Sequence, residues 1–305
     1  MFINKNFLVE ESYINVRLDR WFKKIVSDVP QSLIEKFLRT GNIKVNKKKK
    51  KSSYKVQIGD QINITNLYLD PTKHKKKKYV YKVSKKDLIK TSSIFIENNE
   101  NFVVINKPSG IPVQSGTKSK KNIIDILKET KEFDGFSPYT VHRIDKETTG
   151  VLIVAKNRKY AQLFTTLFRI RKINKTYLCI VAGEMDLSKG TLRDKLFHYE
   201  GKKKIITEAV ANFQVLDSKN NCSLLKINPI TGRKHQIRKQ LLMRGNPIIG
   251  DSKYNMNKTF QSKKNLLMLH AHKINFSIEN ISYKFQADLP DAFREFVKKK
   301  YLKIY

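Results

Sequence analysis

Residues 142–155 read HRIDKETTGVLIVA, in which a polar segment ending in glycine runs directly into five apolar residues. An apolar run of this length beside turn residues is typical of a buried strand. Asp145 is therefore predicted to lie in a loop at the mouth of a strand, held in place by the core behind it. Arg143 and Lys146 flank this aspartate and favour its ionised form. Asp, Thr and Gly are also ordinary turn residues, so the pattern alone leaves open a turn without chemistry.

Segments with strand character dominate the chain on both sides of this stretch. Strands are predicted at 94–96 and 102–105, joined by a turn, and at 177–181, 222–227, 266–269 and 274–278. Helices are predicted at 160–168, where apolar residues recur four apart, and at 232–244. The pattern indicates an α+β fold with a strand-rich core.

The first 70 residues begin with a helical pattern. Apolar residues at 18, 21, 22 and 25 form one stripe, with basic residues on other faces. A second helix is predicted to begin at Ser32, in a capping box with Glu35, and to end at Gly41. Alternating residues at 43–45 and 62–64 then indicate short strands.

The composition indicates a polyanionic partner. Among 305 residues, 62 are Lys or Arg and 27 are Asp or Glu, for a formal net charge of +35. A charge excess of this size repels itself unless a polyanion neutralises it, so nucleic acid is the expected partner. An anionic membrane surface is the alternative, but we find no amphipathic helix with a separate basic face. An AT-rich coding bias toward Lys, Asn and Ile also contributes to the charge.

The positive charge is densest near the N-terminus and divides the chain. Residues 1–90 carry 23 basic and 8 acidic side chains, a higher net charge per residue than in the remainder. Residues 71–90 are polar and rich in lysine, as expected of a solvated linker. We predict a small domain at 1–70, a linker at 71–90 and a larger domain at 91–305.

The sequence lacks the motifs of nucleotide-hydrolysing, disulfide-stabilised, metal-binding and membrane proteins. There is no glycine-rich phosphate loop, so nucleotide hydrolysis is not expected. Cys179 and Cys222 are too few for a disulfide framework or a thiolate zinc site and are predicted to be core residues. His270 and His272 share one face of a strand without acidic neighbours in sequence, so we expect a structural role and no metal. With neither a signal-peptide pattern nor a membrane-spanning apolar run, we expect a cytoplasmic protein.

Four segments, in order, resemble the motifs of the RluA-type pseudouridine synthases. HRIDKETTGVLIVAK at 142–156 is similar to the defining motif of that family, HRLDxxTSGLLLxAK. INKPSGIPV at 105–113, KTYLCIVAG at 175–183 and PITGRKHQIR at 229–238 resemble the other three. Residues 12–66 resemble the S4 RNA-binding domain. The departures are mild: Ile144 stands for Leu and Thr149 for Ser.

The resemblance implies an isomerase that breaks the N-glycosidic bond of a uridine in RNA, turns the base and rejoins it through carbon. It implies a curved, mainly antiparallel sheet with flanking helices, and a site in a basic cleft across its middle. By this resemblance Asp145 is the catalytic carboxylate, as nucleophile or as base, and Arg238 is its ion-pair partner. Tyr177 would contact the target base, Ile237 would form an apolar wall, and Arg143 would fill the gap left by the flipped uridine.

Further residues are expected to contact RNA or to support the site. Arg233 is predicted to bind a phosphate or to cap a helix, and His235 to act as a base, to contact RNA or to pack against the helix. Arg17 and Arg20 of the S4-like segment are predicted to meet phosphates. Lys107, with the proline after it, is expected to support the floor of the site.

The resemblance constrains the RNA substrate less tightly. The S4-like segment favours members that act on large-subunit 23S rRNA over the tRNA-acting members, which lack it. Length and the basic N-terminus are similar to the C-type members, with the D-type members as the alternative. A ribosome-assembly factor that binds RNA without turnover is another alternative, and a DNA-binding protein is the third. Because the isomerisation conserves all atoms, we expect no cofactor and no metal. The chain is also expected to be a monomer.

Overall fold

The structure, a computed structural model, describes residues 2–69, 83–84, 87–88, 93–115, 121–200, 203–255 and 266–304. The chain divides into two compact units, residues 1–79 and 80–305. Apart from residues 83–84 and 87–88, the predicted linker at 71–90 lies outside the described residues. The domain boundaries that rest on this linker therefore stay a prediction.

The N-terminal unit packs two helices on a small antiparallel sheet. Its elements are β1 (Phe2–Leu8), α1 (Leu18–Ile25), α2 (Gln31–Thr40), β2 (Ile43–Val45) and β3 (Gln61–Tyr68), with a 3-10 turn at Glu11–Tyr13. The strand order is β1-β3-β2, and both pairings are antiparallel. The predicted stripe of α1 is confirmed at Leu18, Trp21 and Phe22, which are buried, but Ile25 is 37% exposed. β1 is an addition to the predicted elements, and it pairs along β3.

The two predicted ends of the second helix have different outcomes. Gly41 is confirmed as the end of α2, where it adopts a positive φ of 84°. The capping box predicted at Ser32 is wrong, because the helix begins after Pro30, which is held at φ −54°. The side chain of Gln31 then donates to Asp19 at 2.8 Å, which joins the start of α2 to α1.

The larger unit is built on one extensive sheet. Its strands are β4 (Phe95–Asn98), β5 (Phe102–Lys107), β6 (Tyr139–Thr140), β7 (Thr149–Ala155), β8 (Asn174–Ala182), β9 (Lys189–Glu200), β10 (Lys203–Lys219), β11 (Cys222–Pro229), β12 (Leu269–Ile278) and β13 (Ile281–Gln286). Its helices are α3 (Ile123–Lys128), α4 (Arg158–Arg169), α5 (Gln236–Met243) and α6 (Asp291–Lys299), with a 3-10 turn at Lys131–Phe133.

Within the described residues the strands follow the order β4-β5-β7-β12-β8-β11-β10-β9, with β13 beside β12 and β6 beside β7. The pairing of β7 with β12 is parallel and the other pairings are antiparallel. The predicted α+β fold with a mainly antiparallel sheet is thereby confirmed. Cys179 and Cys222 are buried, as predicted.

Two predicted elements have different bounds in the structure. The helix expected at 232–244 covers only Gln236–Met243, because His235 before it adopts a left-handed φ of 54°. β12 contains the strand expected at 274–278 but only residue 269 of the strand expected at 266–269, and it has a register shift between Ala271 and Lys273 where it pairs with β8. A bulge of this kind interrupts the alternation of apolar residues without ending the strand.

β7 and β12 approach each other closely at the centre of the sheet. Gly150 has a φ of 108°, and a Cβ atom there would lie 2.2 Å from the carbonyl oxygen of Ala271. The hydroxyl of Thr149 is 2.8 Å from Nδ1 of the buried His270 on β12. This contact ties the first residues of β7 to β12, directly behind the loop that carries Asp145. Among the described residues, no helix is long and apolar enough to cross a membrane.

Candidate active site

The loop that carries Asp145 is anchored from below by a buried lysine. Nζ of Lys107, at the end of β5, lies 2.7 Å from the carbonyl oxygen of Pro108, 2.9 Å from that of Ile111 and 3.1 Å from that of Lys146. Burial lowers the pKa of this amine to about 7, against the attraction of Glu147 and Asp145. The side chain thus bridges the loop after β5 and the loop before β7. This position agrees with the expected role of Lys107 in the floor of the site.

A second support comes from the histidine at the start of the motif. Nε2 of His142 accepts a hydrogen bond of 2.8 Å from the backbone N–H of Ile153 in β7. Its ring stacks on Phe168 of α4 with centroids 4.5 Å apart. Burial and the nearby Lys175 lower the pKa of His142 to about 3, so the ring stays neutral and keeps its acceptor nitrogen. His142 therefore packs as a structural group behind Asp145.

Arg238 faces Asp145 from the first turns of α5. Its Nη1 donates to Oδ2 of Asp145 at 3.1 Å, while the arginine side chain is only 4% exposed. The same guanidinium donates from Nε and Nη2 to the two oxygens of Asp251, at 2.6 and 2.8 Å. Burial disfavours the charge, but the hydrogen bonds to Asp251 and Asp145 outweigh it and raise the pKa of Arg238. The arginine therefore stays protonated.

Asp251 supports Arg238, and no sequence pattern predicted it. Its side chain is fully buried, and Oδ1 also accepts from the backbone N–H groups of Lys253 and Tyr254, both at 2.9 Å. Burial opposes ionisation, yet the bonds from Arg238 and from these amides lower the pKa of Asp251. A carboxylate thirteen residues after an arginine has no periodic signal of its own. The one available signal was an acidic residue after the apolar pair at 248–249.

His235 lies on the other side of Asp145. Its Nε2 is 3.7 Å from Oδ1 of the aspartate, and its Nδ1 is 2.8 Å from the hydroxyl of Tyr254. Burial, together with Arg238 and nearby lysines, lowers the pKa of His235, although Asp145 opposes this shift. A neutral imidazole with its hydrogen on Nε2 would present that N–H to the carboxylate and accept a hydrogen bond from the Tyr254 hydroxyl at Nδ1.

Tyr177 and Ile237 provide the apolar side of the site. Tyr177 lies on β8, where it is paired with Ala271 of β12 and Ile227 of β11. Burial and the negative charge of Asp145 both raise the pKa of Tyr177, so its hydroxyl stays protonated. Ile237 is 7% exposed and lines the same cavity. A ring and an apolar wall beside a carboxylate suit a flat polar ligand such as a nucleobase.

A cavity of about 840 Å³ opens above these side chains. Among its described lining residues Asp145 is the one acidic side chain, and the basic ones are Arg143, Arg169, Arg171, Lys175, Arg233 and Lys234. The phosphates of a bound polyanion would contact these basic side chains, and the Asp145 carboxylate would face the group inserted into the cavity.

Similarity to known proteins identifies the family of this chain. Residues 101–242 match the protein family described as RNA pseudouridylate synthase. A protein of Buchnera aphidicola subsp. Schizaphis graminum, named ribosomal large subunit pseudouridine synthase C, is 34% identical over 281 residues, or 88% of each chain. The chain belongs to the RNA pseudouridine synthase family.

Further relatives support the assignment of this RNA pseudouridine synthase. A protein of Rickettsia conorii with the same name is 33% identical over 292 residues, covering 92% of this chain and 96% of its own. The structure of human RNA pseudouridylate synthase domain containing 4 is 26% identical, with a TM-score of 0.62 over 72% of this chain and 98% of that chain. Membership of the family makes the chain an RNA isomerase.

The structure brings most of the predicted residues of the synthase to one cavity. Asp145, Arg143, Tyr177, Ile237, Arg233 and His235 line it, and Arg238 lies behind Asp145. Nε of Arg233 donates to the carbonyl oxygen of Glu208 at 3.1 Å, and its backbone N–H donates to the side chain of Gln236 at 3.0 Å. Gln236 also accepts from the hydroxyl of Thr231 at 2.7 Å, which fixes the turn before α5.

Arg17 and Arg20 lie in the N-terminal unit and do not line the cavity. Arg17 precedes α1 and donates to Asp19 at 2.7 and 3.1 Å, and Arg20 is an exposed residue of α1. His270 serves as a structural residue, since burial lowers its pKa to about 4 and its Nε2 is 3.2 Å from the carbonyl oxygen of Ala287. In the described part of the chain, no cluster of three or more His, Cys, Asp or Glu side chains is arranged for a metal ion.

Proposed function

We propose that this enzyme converts uridines of bacterial large-subunit 23S rRNA to pseudouridine, and that it does so in the cytoplasm as a monomer. The relatives at 33–34% identity carry the name of a ribosomal large subunit pseudouridine synthase. The net charge of +35 suits a large structured RNA.

Asp145 is the catalytic carboxylate in this proposal. The observation that carries it is the buried Arg238, held by Asp251 and directed at Asp145 over 3.1 Å. A cation held in place by Asp251 fixes the direction in which the Asp145 carboxylate presents its second oxygen. The carboxylate then acts on the flipped uridine as a nucleophile or as the base that removes the 2′ proton.

The isomerisation exchanges one bond of the uracil for another. The N1–C1′ bond breaks, the base turns, the C5–C1′ bond forms, and the proton leaves C5 as N1 regains one. Tyr177 contacts the base throughout, and Ile237 forms the apolar wall on which it turns. Arg143, exposed at the rim, occupies the gap that the flipped uridine leaves in the RNA.

The N-terminal unit contributes RNA affinity as an S4 domain. Its two helices on a small antiparallel sheet are compatible with that module. Arg17 and Arg20 lie before and within α1, and Lys47–Lys51 follow β2. These cations contact phosphates of the rRNA in this proposal, so affinity falls steeply with salt.

The test is pseudouridine mapping of 23S rRNA in cells with and without the gene, complemented by wild type or by Asp145→Ala. Specific pseudouridines should vanish in the deletion and return only with wild type. Purified Asp145→Asn should bind the rRNA with unchanged affinity and form no product. Restoration of every site by Asp145→Ala would contradict the catalytic role. Loss of sites in tRNA alone would replace the rRNA assignment.

A further inference from the structure

The hairpin of β9 and β10 extends beyond the rest of the sheet. β10 pairs with β11 only from Ala211 to Lys219, whereas its first part, 203–210, pairs only with β9 among the described strands. The distal hairpin is therefore a two-stranded ribbon. Such a ribbon has little core of its own, so large apolar side chains that stay exposed on it are not explained by packing.

One face of this ribbon carries exposed rings. Phe197 is 51% exposed and Tyr199 is 64% exposed, and Ile206, opposite Phe197 in the register, is 59% exposed. The two rings contact each other edge to face, with centroids 6.1 Å apart. Because alternate residues of a strand share a face, the exposed Lys195 lies on the same face. Nζ of Lys204 lies 4.7 Å from the centroid of the Phe197 ring.

The base of the ribbon touches the rim of the cavity. The carbonyl oxygen of Glu208 accepts from Nε of Arg233, which lines the cavity, at 3.1 Å. Ile206 precedes Glu208 by two residues in β10, which is about 7 Å at the rise of a strand. On the adjacent strand, the carbonyl oxygen of Phe197 is 3.4 Å from Nζ of Lys239 in α5, the residue after Arg238. The face therefore begins close to the part of the rim that carries Arg233.

We propose that this face, formed by Phe197, Tyr199 and Ile206 with Lys195 and Lys204, binds unpaired bases of the substrate RNA beside the target uridine. Rings interleaved with lysines match the two chemistries of single-stranded RNA, since bases stack on the rings and phosphates meet the cations. The proposal rests on the proposed function, because it takes the RNA in the cavity as the strand that continues onto the ribbon.

The experiment measures binding to an unmodified 23S rRNA transcript in an Asp145→Asn background, where no turnover occurs. Phe197→Val with Tyr199→Val removes both rings but keeps residues that favour a strand, so the ribbon is preserved. We expect Kd to rise about tenfold or more for this variant. Phe197→Tyr with Tyr199→Phe keeps both rings and should bind within twofold of the background. Tyr301→Ala, which removes a 73% exposed ring elsewhere in the unit, is the matched control and should not change Kd.

The salt dependence tests the lysines separately. Lys195→Gln with Lys204→Gln should reduce the slope of log Kd against log salt by about 1.4, at about 0.7 for each phosphate contact with a single strand. Equal Kd values for the ring-containing and ring-free variants would overturn the proposal. So would loss of a dimer on removing the rings with Kd unchanged, because the face would then bind a second copy of the chain.

The same samples without the Asp145→Asn change separate this surface from the proposed function. If wild type forms no pseudouridine in the transcript while removal of the rings still weakens binding, the surface is supported and the rRNA activity fails. If pseudouridine forms and removal of the rings changes neither Kd nor KM, the surface is overturned and the activity is supported.

Discussion

Asp251 accepts two hydrogen bonds from Arg238, at 2.6 and 2.8 Å, and so directs the remaining nitrogen of that arginine at Asp145. Both members of this pair are buried, with side-chain exposures of 0% and 4%. The orientation of the cation toward the candidate catalytic carboxylate therefore depends on a residue outside the four recognised motifs.

Removing the charge of Asp251 should damage both stability and turnover. Asp251→Asn leaves a buried guanidinium without its main counter-ion, which costs about 3–5 kcal/mol of the free energy of unfolding. Because Arg238 would no longer be oriented toward Asp145, kcat should fall about 10²-fold while RNA affinity is retained. Urea unfolding and single-turnover assays measure the two effects.

An exposed ion pair provides the control for this prediction. Lys159 and Glu279 are 3.4 Å apart with side chains 75% and 60% exposed, so Glu279→Gln should cost at most about 1 kcal/mol. If Asp251→Asn were as stable and as active as Glu279→Gln, the support that we assign to Asp251 would be wrong.

Lys107 should act as a positioning residue for the loop of Asp145. Lys107→Met keeps the apolar stem but leaves the carbonyl oxygens of Pro108, Ile111 and Lys146 without the amine. The carbonyl oxygen of Lys146 keeps its hydrogen bond from the N–H of Gly110, so we expect a total loss of about 1–3 kcal/mol, and a lower kcat with unchanged Kd for rRNA. Lys128→Met, at an exposed position of α3, is the matched control. A normal kcat for Lys107→Met would refute the positioning role.

His270 should make stability depend on pH. Its pKa is about 4 in the folded chain and about 6.5 when unfolded, so below pH 6.5 the unfolded state binds more protons. Stability then falls as the pH drops, until the folded group also titrates near pH 4. Between pH 7.5 and 5.0 this one histidine contributes a loss of about 2 kcal/mol.

The contribution is isolated by substitution. His270→Gln cannot titrate in this range, and its amide has the donor and acceptor that face Ala287 and Thr149. Urea unfolding of wild type and variant at the two pH values should therefore differ in pH dependence by about 2 kcal/mol. Identical pH dependence in the two proteins would show that the ring is not held neutral.

Gly150 should tolerate no side chain. At φ 108°, a Cβ atom would lie 2.2 Å from the carbonyl oxygen of Ala271, where only backbone movement relieves the contact. Gly150→Ala should therefore cost about 1–3 kcal/mol for overpacking and about 1–2 kcal/mol for the backbone conformation. Gly135, with φ 72° and nothing within 4 Å of the added atom, isolates the conformational part. A Gly150→Ala variant as stable as Gly135→Ala, by thermal unfolding, would contradict the close approach of β7 and β12.

Local patterns predicted the elements whose apolar residues repeat without interruption. The structure matches the first three positions of the α1 stripe and the spacing in α4, because each helix buries one face and its period is visible in sequence. It also matches the apolar run of β7, which is buried along its whole length. The predicted start of a helix was wrong where side-chain hydrogen bonds take the place of the backbone hydrogen bonds of a helix. At the start of α5 the side chain of Gln236 binds the turn at 231–233, so the helical ladder begins later than the pattern indicates.

By itself, the sequence determined the fold class, the strand-rich core, the basic character and the motifs that contain Asp145, Tyr177 and Arg238. Only the tertiary structure decided which side chains support one another. Asp145 and Arg238 are 93 residues apart, and the clamp by Asp251 depends on where the segment after Ile249 returns to α5. Periodicity records which face of an element is buried, whereas a hydrogen bond depends on atomic positions that packing sets across the whole sheet.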